Sequence, residues 1–216
     1  MIVLLGGLKG GTGKSTLATN LAALRAMNGH EVLLIDADSQ ASAAFWAEIR
    51  DESGIKPRVP CVQKHGRRIH DEIKEMSAKF GTIVIDVGGR DNPGLRSSML
   101  AADILIVPTK ASQYDLTSLE DLAVVIEDCL LINPRLKTLV VINMAHVNPQ
   151  VSEGQEAKEY LREVAHLDLA ETVIRDRIIF RKSSRTGQSV LEMKPSDPKA
   201  TSEIKAIYEE VFRGGV

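Results

Sequence analysis

Cysteine, aromatic residues and long apolar runs are all scarce in this sequence. Only 2 of the 216 residues are cysteine, and 4% are aromatic. Cys61 and Cys129 lie far apart and form no C-x-x-C pair, which argues against a disulfide framework or a multi-cysteine cluster. The opening apolar run reaches Gly6 too soon for a signal peptide or a membrane span and has no basic region before it. These absences predict a cytoplasmic protein.

An excess of charge of one sign is also missing. Lys and Arg number 27 against 29 Asp and Glu, so the net charge is −2. This balance excludes a protein that wraps nucleic acid with its whole surface, and any such contact must come from a local patch. Hydrophobic residues make up 44% of the chain and no linker or repeat interrupts it, so we expect one domain over residues 1–216.

Short apolar runs alternate with segments of helical periodicity. The runs are rich in Val, Ile and Leu and no polar residue interrupts them, which is typical of buried parallel strands. This alternation predicts an α/β fold with a doubly wound, mostly parallel sheet and helices on both faces. The predicted strands are 2–5, 32–35, 82–85, 104–107 and 139–142, and the clearest helices are 15–28, 69–80 and 116–132.

Two further segments carry structural expectations. Residues 51–64 contain two prolines and are predicted to be a loop. The chain from Ile204 places apolar residues on one helical face, with Glu203, Glu209 and Glu210 against a single Lys205 on the polar side. Because anionic lipid would repel that polar side, we expect the helix to pack on the sheet and not on a membrane.

A glycine-rich loop directly follows the first strand and opens a helix, the context that a phosphate-binding loop needs. Its glycines let backbone N–H groups turn inward, Lys14 can reach terminal phosphates, and Ser15 offers a hydroxyl to Mg²⁺. Leu8 stands where the strict P-loop pattern has its first glycine, and Thr16 stands where a Rossmann fingerprint has its third. The pattern predicts a nucleoside triphosphate site formed by Lys9, Gly10, Gly11, Thr12, Gly13, Lys14, Ser15 and Thr16.

Lys9 to Thr16 resembles the deviant Walker A motif of the ParA/MinD family of P-loop ATPases, whose signature is the additional lysine, here Lys9. Residues 35–40, Ile-Asp-Ala-Asp-Ser-Gln, are similar to the family's second motif, with Ser39 in place of its proline. Residues 84–91 resemble its Walker B strand and switch segment. The resemblance extends over nearly the whole chain and implies a P-loop NTPase with ATP and Mg²⁺ as cofactors and a weak basal ATPase activity.

The acidic residues of these motifs receive separate roles. Asp86 ends a strand expected to lie beside the first one, so its carboxylate faces the Mg²⁺ held by Ser15. The resemblance implies that Asp38 orients the attacking water and that Asp36 lies nearer the metal. It also implies that Lys9 crosses the interface of an ATP-sandwich dimer. The expected catalytic residues are therefore Lys9, Lys14 and Asp38, and the expected metal ligands are Ser15, Asp36 and Asp86.

Gly88 and Gly89 form either a switch that responds to the γ-phosphate or a plain turn. Asn143 occupies the position where the family is expected to read adenine, and Arg175 with Asp176 is expected to complete that pocket.

Residues 174–185 concentrate positive charge in a chain whose net charge is negative. Five basic residues against one acidic residue suit either contact with a phosphate backbone or a solvated charged surface. The resemblance favours non-specific DNA binding, for which we expect Arg181, Lys182 and Arg185 to be responsible.

The resulting prediction is a ParA-type ATPase that is nucleoid-associated and forms an ATP-dependent homodimer. It would partition plasmid or chromosomal DNA with a ParB-like centromere-binding partner that stimulates hydrolysis. Because the first motif starts at residue 9, no DNA-reading domain is expected before it. The alternatives are a positioning ATPase for another cargo, such as a carboxysome, and a MinD-like membrane-cycling regulator.

Overall fold

A computed structural model describes residues 1–66, 68–89, 93–110, 113–148, 160–161 and 164–212, with the backbone alone for 113–117. Within these ranges the chain forms a seven-stranded, all-parallel sheet in the order β3-β2-β4-β1-β5-β6-β7. The strands are β1 (Ile2–Leu5), β2 (Val32–Asp36), β3 (Cys61–Gln63), β4 (Thr82–Asp86), β5 (Ile104–Thr109), β6 (Lys137–Ile142) and β7 (Asp168–Leu169).

Helices cover both faces of the sheet. Their bounds are α1 (Lys14–Met27), α2 (Ser42–Glu52), α3 (Ile69–Ser77), α4 (Pro93–Met99), α5 (Gln113–Leu130), α6 (Ile178–Ser184) and α7 (Pro198–Phe212). Alternate side chains of each strand point to opposite faces, so β1 sends Val3 and Leu5 to one core and Ile2 and Leu4 to the other. The first core contains α1, α2, α6 and α7, and the second contains α3, α4 and α5. The predicted doubly wound fold is confirmed.

The C-terminal helix packs as expected. Ile204, Ile207, Tyr208 and Val211 are all buried in the first core, so the apolar face of α7 is covered by protein. Within the described ranges, every helix falls short of the length and hydrophobicity that crossing a membrane requires.

The expectation of a loop over residues 51–64 is confirmed for residues 53–60 and is wrong at the two ends of the segment. This segment begins with the last residues of α2 and ends with β3, which contains only three residues. β3 forms because its backbone pairs with β2, with Cys61 opposite Leu34 and Gln63 opposite Asp36. A strand of this length has no periodicity of its own, so the sequence contains no local signal for it.

The connections place several loops at one edge of the sheet. β1 lies in the middle, between β4 and β5, and the chain winds in opposite directions on its two sides. In doubly wound sheets, such a switch point at the carboxyl ends of the strands forms a crevice. Here the loops after β1, β2 and β4 meet at this crevice, and these are the loops that carry the predicted motifs.

A buried ion pair fastens α2 to the segment that precedes α7. Arg50 is 0% exposed and donates to both carboxylate oxygens of Glu192, at 2.9 and 2.8 Å. It also donates to the carbonyl oxygens of Pro57 and Gly187. Burial acts to raise the pKa of Glu192, but its hydrogen bonds from Arg50 and Ser189 outweigh this effect and hold that pKa below its usual value.

We expect Glu192→Gln to lower the free energy of unfolding by about 3 kcal/mol, because it leaves the Arg50 charge buried without its counter-ion. Urea denaturation at pH 7 measures the effect. Because the pKa of Glu192 is depressed in the folded state, its stabilising contribution is present at neutral pH and is lost as the pH falls through that depressed value. The control is Asp51→Asn, which breaks an exposed pair with Arg58 and should change stability little. Equal effects from the two variants would contradict the prediction.

Candidate functional site

The loop after β1 has the backbone geometry that a phosphate requires. Gly11 and Gly13 adopt left-handed conformations with φ of +69° and +92°, which side chains rarely allow. Gly13 caps α1 and, having no side chain, makes no capping hydrogen bond to the N–H groups of that helix start. A Cβ atom at Gly13 would lie 2.3 Å from Nδ2 of Asn143, so only glycine fits there. The open N–H groups of α1 form an anion site.

Lys14 lies at the bottom of this loop, 6% exposed, and its Nζ donates to the carbonyl oxygen of Lys9 at 2.5 Å. Burial lowers the pKa of Lys14, and the negative charges of Asp86 and Asp38 oppose that shift. Lys14 is therefore a buried cation placed between the phosphate loop and two carboxylates. The side chain of Lys9 is exposed, as expected of a residue that reaches outside its own site.

The three predicted acidic residues differ sharply in their hydrogen bonding. Both oxygens of Asp36 accept backbone N–H groups, one from Asp38 at 3.0 Å and one from Ala44 at 2.8 Å, so this carboxylate positions the start of α2. Asp86 is fully buried, and neither of its oxygens has a hydrogen-bond partner in the described part of the chain. Burial raises the pKa of Asp86 to about 7, although the neighbouring Ser15 hydroxyl, which does not reach hydrogen-bond geometry in this structure, and the Lys14 ammonium act to lower it.

Asp38 lines a cavity next to the phosphate loop. Its Oδ1 accepts the N–H of Gln40 at 3.0 Å, which fixes the side chain in a tight local turn. Gly88 lies directly against it, since a Cβ atom at Gly88 would be 3.0 Å from the Asp38 carboxylate. One oxygen of Asp38 is therefore held by the backbone while the group borders open space.

Neighbouring atoms approach positions 88 and 89 so closely in this conformation that both positions require glycine. Neither has a left-handed φ, but a Cβ atom at Gly89 would lie 2.3 Å from the carbonyl oxygen of Lys9. The segment after β4 thus touches both the phosphate loop and Asp38. Whether it switches with the nucleotide stays a prediction, and residues 90 and 91 lie outside the described residues.

Two neighbouring cavities share Gly13, Thr16 and Met144 in their walls. The larger, of about 400 Å³, contains the phosphate loop, Asp38 and Gly89. The smaller, of about 40 Å³, is lined by residues that include Asn143, Arg175, Asp176, Phe180 and Arg181. The predicted phosphate residues and the predicted adenine residues thus line two cavities with shared walls.

Asn143 has a contact that the sequence did not reveal. Its Nδ2 donates to the carbonyl oxygen of Thr12 at 2.6 Å, so the side chain braces the phosphate loop from β6. Trp46 and Ser184 also line the larger cavity and were not predicted. They come from α2 and α6, far apart in the chain, and no short motif contains them.

Fewer cations of the basic segment, residues 174–185, are available to a ligand than its composition indicates. Arg175 and Arg177 both pair with Glu203, and Arg181 pairs with Asp176 at 2.6 Å beside the smaller cavity. Lys182 and Arg185 are exposed and have no ion pair among the described residues. Much of the charge counted along the sequence is therefore already neutralised by neighbours.

Comparisons with known proteins identify the family of this chain. The family model described as "CobQ/CobB/MinD/ParA nucleotide binding domain" matches residues 3–190. Maintenance of carboxysome distribution protein A of Gloeobacter kilaueensis is 30% identical over 95% of this chain and 91% of its own length. The chromosome-partitioning ATPase Soj of Thermus thermophilus is 24% identical over 97% of this chain and 94% of its own. The fold also matches MinD of Pyrococcus horikoshii, solved with Mg-ADP, at 20% identity and a TM-score of 0.75 over 98% and 96% of the two chains.

Proposed function

The chain belongs to the CobQ/CobB/MinD/ParA family of nucleotide-binding domains, and we propose that it is a ParA-type ATPase that positions a cargo along DNA. The observation that carries this proposal is the buried Lys14 at a phosphate loop whose cavity is also lined by Asp38, with the buried Asp86 close enough to interact electrostatically with the Lys14 ammonium. Nucleotide hydrolysis needs a cation for the phosphates and a carboxylate near the attacking water, and this cavity places both side by side.

ATP with Mg²⁺ is the proposed cofactor. Among the described residues, the buried Asp86 carboxylate has no hydrogen-bond partner, an arrangement that a bound divalent cation would satisfy. Ser15 and Asp86 would hold the ion, which supplies charge neutralisation at the phosphates. Asp36, expected as a further ligand, already binds two backbone N–H groups, and we propose that it orients the segment carrying Asp38. The Mg-ADP complex of the related MinD is consistent with this choice.

Within one subunit, Lys14 would bind the terminal phosphates and Asp38 would orient the water. Lys9 has its side chain exposed above the cavity, and we propose that it contacts the nucleotide of a second copy. The ATP-bound state is then a homodimer whose two sites each receive a cation from the other subunit.

The cargo is the point on which the related proteins differ. A carboxysome distribution protein is 30% identical to this chain and a chromosome-partitioning ATPase is 24% identical, which supports positioning of a protein compartment at least as well as partition of DNA. We propose that an adaptor on the cargo stimulates hydrolysis in either case. A MinD-like membrane cycle is disfavoured because the apolar face of α7 is buried in the core.

We expect the ATP-bound protein to bind duplex DNA without sequence preference, and Lys182→Glu combined with Arg185→Glu to weaken that binding at least tenfold. These two cations are exposed and unpaired in the described structure, so their replacement adds repulsion and reduces the salt dependence of binding. Fluorescence anisotropy with a random 30-base-pair duplex at two salt concentrations measures both quantities.

The matched control is Lys74→Glu combined with Lys79→Glu, which changes net charge equally on α3 and just beyond it, on the opposite face of the sheet. It should leave DNA affinity within threefold of wild type. An equal loss in both double variants would mean that net charge alone governs binding, and retention on DNA without nucleotide would contradict the ATP-dependent cycle.

A further inference from the structure

The free edge of the sheet next to α2 offers unpaired backbone groups. β3 is the edge strand and pairs with β2 alone in the part of the chain that the structure describes. Leu34 N–H donates to the Pro60 carbonyl at 2.9 Å, and Lys64 N–H donates to the Asp36 carbonyl at 3.0 Å. Backbone groups alternate in direction along a strand, so those of Cys61 and Gln63 point away from the sheet.

A groove of about 630 Å³ runs along this edge, between β3 and α2. Its walls include Ala44, Phe45 and Ala47 from the helix and Cys61 and Gln63 from the strand. The Phe45 side chain is 59% exposed, an unusual position for a large aromatic residue in a chain with 4% aromatics. The groove therefore combines an apolar wall with a row of outward-facing N–H and C=O groups.

The charged residues around the groove differ in whether they form ion pairs. Asp51 and Arg58 line it but bind each other, with Arg58 Nη2 and Asp51 Oδ2 2.7 Å apart. Glu48 lines it with an exposed side chain and has no ion pair among the described residues. An occupant that complements the groove thus carries a basic side chain opposite Glu48 and an apolar one against Phe45.

We propose that this groove binds an extended polypeptide segment of a partner protein, which adds to the edge of β3 and presents one apolar and one basic side chain. Backbone hydrogen bonds to Cys61 and Gln63 would give affinity, and the contacts with Phe45 and Glu48 would give selectivity. Gln40 lines both this groove and the proposed nucleotide cavity. An occupant of the groove would therefore contact a residue only two positions along the chain from Asp38. The inference rests on the proposed function only in identifying the partner as the adaptor that stimulates hydrolysis.

A phage-displayed library of random twelve-residue peptides, selected on the full-length protein with ATP and Mg²⁺, tests the proposal. We expect enriched peptides to alternate β-branched or aromatic residues with polar ones and to contain Lys or Arg. Selection on Glu48→Lys should instead enrich Asp or Glu. A library that yields no enriched peptide, or the same peptides from both proteins, would overturn the inference.

Fluorescence polarisation with the best enriched peptide then locates its site. Gln63→Pro removes one outward N–H and leaves the pairing of β3 with β2 intact, since an edge strand tolerates proline there. It should weaken peptide binding at least tenfold, whereas Gln63→Ala, which keeps that N–H, should stay within threefold. Phe45→Ser provides a second variant that does not alter the backbone and should also lose at least tenfold. Undiminished binding to Gln63→Pro and Phe45→Ser would place the peptide elsewhere.

Two further readouts separate the alternatives. If sedimentation shows that Gln63→Pro abolishes self-association of the protein alone, the edge binds a second copy and the partner assignment is wrong. The peptide-binding measurement does not depend on ATP hydrolysis. If the protein fails to hydrolyse ATP, the proposed function is overturned but the assignment of the groove is not. A peptide that binds at the groove and raises the ATPase rate supports both.

Discussion

Lys14→Ala is expected to weaken ATP binding at least 100-fold, equivalent to about 2.7 kcal/mol. Lys14 is the buried cation of the phosphate loop, its Nζ donates to the Lys9 carbonyl, and it interacts electrostatically with Asp38, which lines the same cavity, and with the buried Asp86. Its removal leaves the phosphates facing these carboxylates without a compensating charge. Isothermal titration calorimetry measures the affinity, and the fluorescence of Trp46, the only tryptophan, gives an independent signal from the cavity wall.

The fold should survive this change. Burial already raises the pKa of Asp86 to about 7, and the loss of the Lys14 charge removes one of the influences that lower it. The carboxyl group is then protonated at neutral pH, which avoids the cost of an isolated buried charge. The control is Lys9→Ala, whose side chain is exposed and which should bind ATP within threefold of wild type as a monomer. Normal affinity in Lys14→Ala would remove the phosphate-loop assignment.

The sheet could be predicted because buried parallel strands are written as continuous apolar runs. Leu33 and Ile35 pack on one face of the sheet and Val32 and Leu34 on the other, so every position of β2 demands an apolar residue until Asp36. The phosphate loop could be predicted because its glycines, lysine and serine lie within eight residues. Both signals are local, and the structure confirms the fold they imply.

Several features that the sequence did not reveal depend on distant partners, and one depends on the geometry of a local turn. Glu203 neutralises Arg177 across 26 positions, so the basic segment appears freer in the sequence than it is in the structure. Arg50 meets Glu192 across 142 positions. The orientation of Asp36 toward the start of α2 likewise depends on a turn whose geometry no spacing rule predicts. Only folding determines which charges remain available for a ligand.

These distant contacts also connect the site to the rest of the molecule. α2 begins at the segment fixed by Asp36, and Arg50 in its last turn is tied to Glu192. Trp46, between them, borders the nucleotide cavity and donates its indole N–H to the Gln188 carbonyl. α2 therefore touches the proposed catalytic segment, the peptide groove and the chain that follows the basic segment. Because α2 contacts these three regions, a shift of this helix is the simplest physical way in which a change in one region could affect the others.

Asp38→Ala is expected to bind ATP within threefold of wild type and to lower the hydrolysis rate between about 100-fold and 10,000-fold, the range for loss of a group that orients or activates water. The reason is geometric. Gln40 N–H holds one oxygen of Asp38 at 3.0 Å and Gly88 packs against the carboxylate, so the group is fixed at the cavity while Lys14 remains to bind the phosphates. Phosphate release under single-turnover conditions isolates the chemical step from product release.

Asp38→Asn separates the charge of this group from its shape. The amide keeps an oxygen that can accept the Gln40 N–H but is a far weaker base, so a rate as low as that of Asp38→Ala would show that the negative charge itself is required. Recovery of most of the rate would indicate that Asp38 only positions the water. Unchanged hydrolysis in Asp38→Ala would mean that a different group orients it, and the fully buried Asp86, whose oxygens have no partner among the described residues, would then be the nearest candidate.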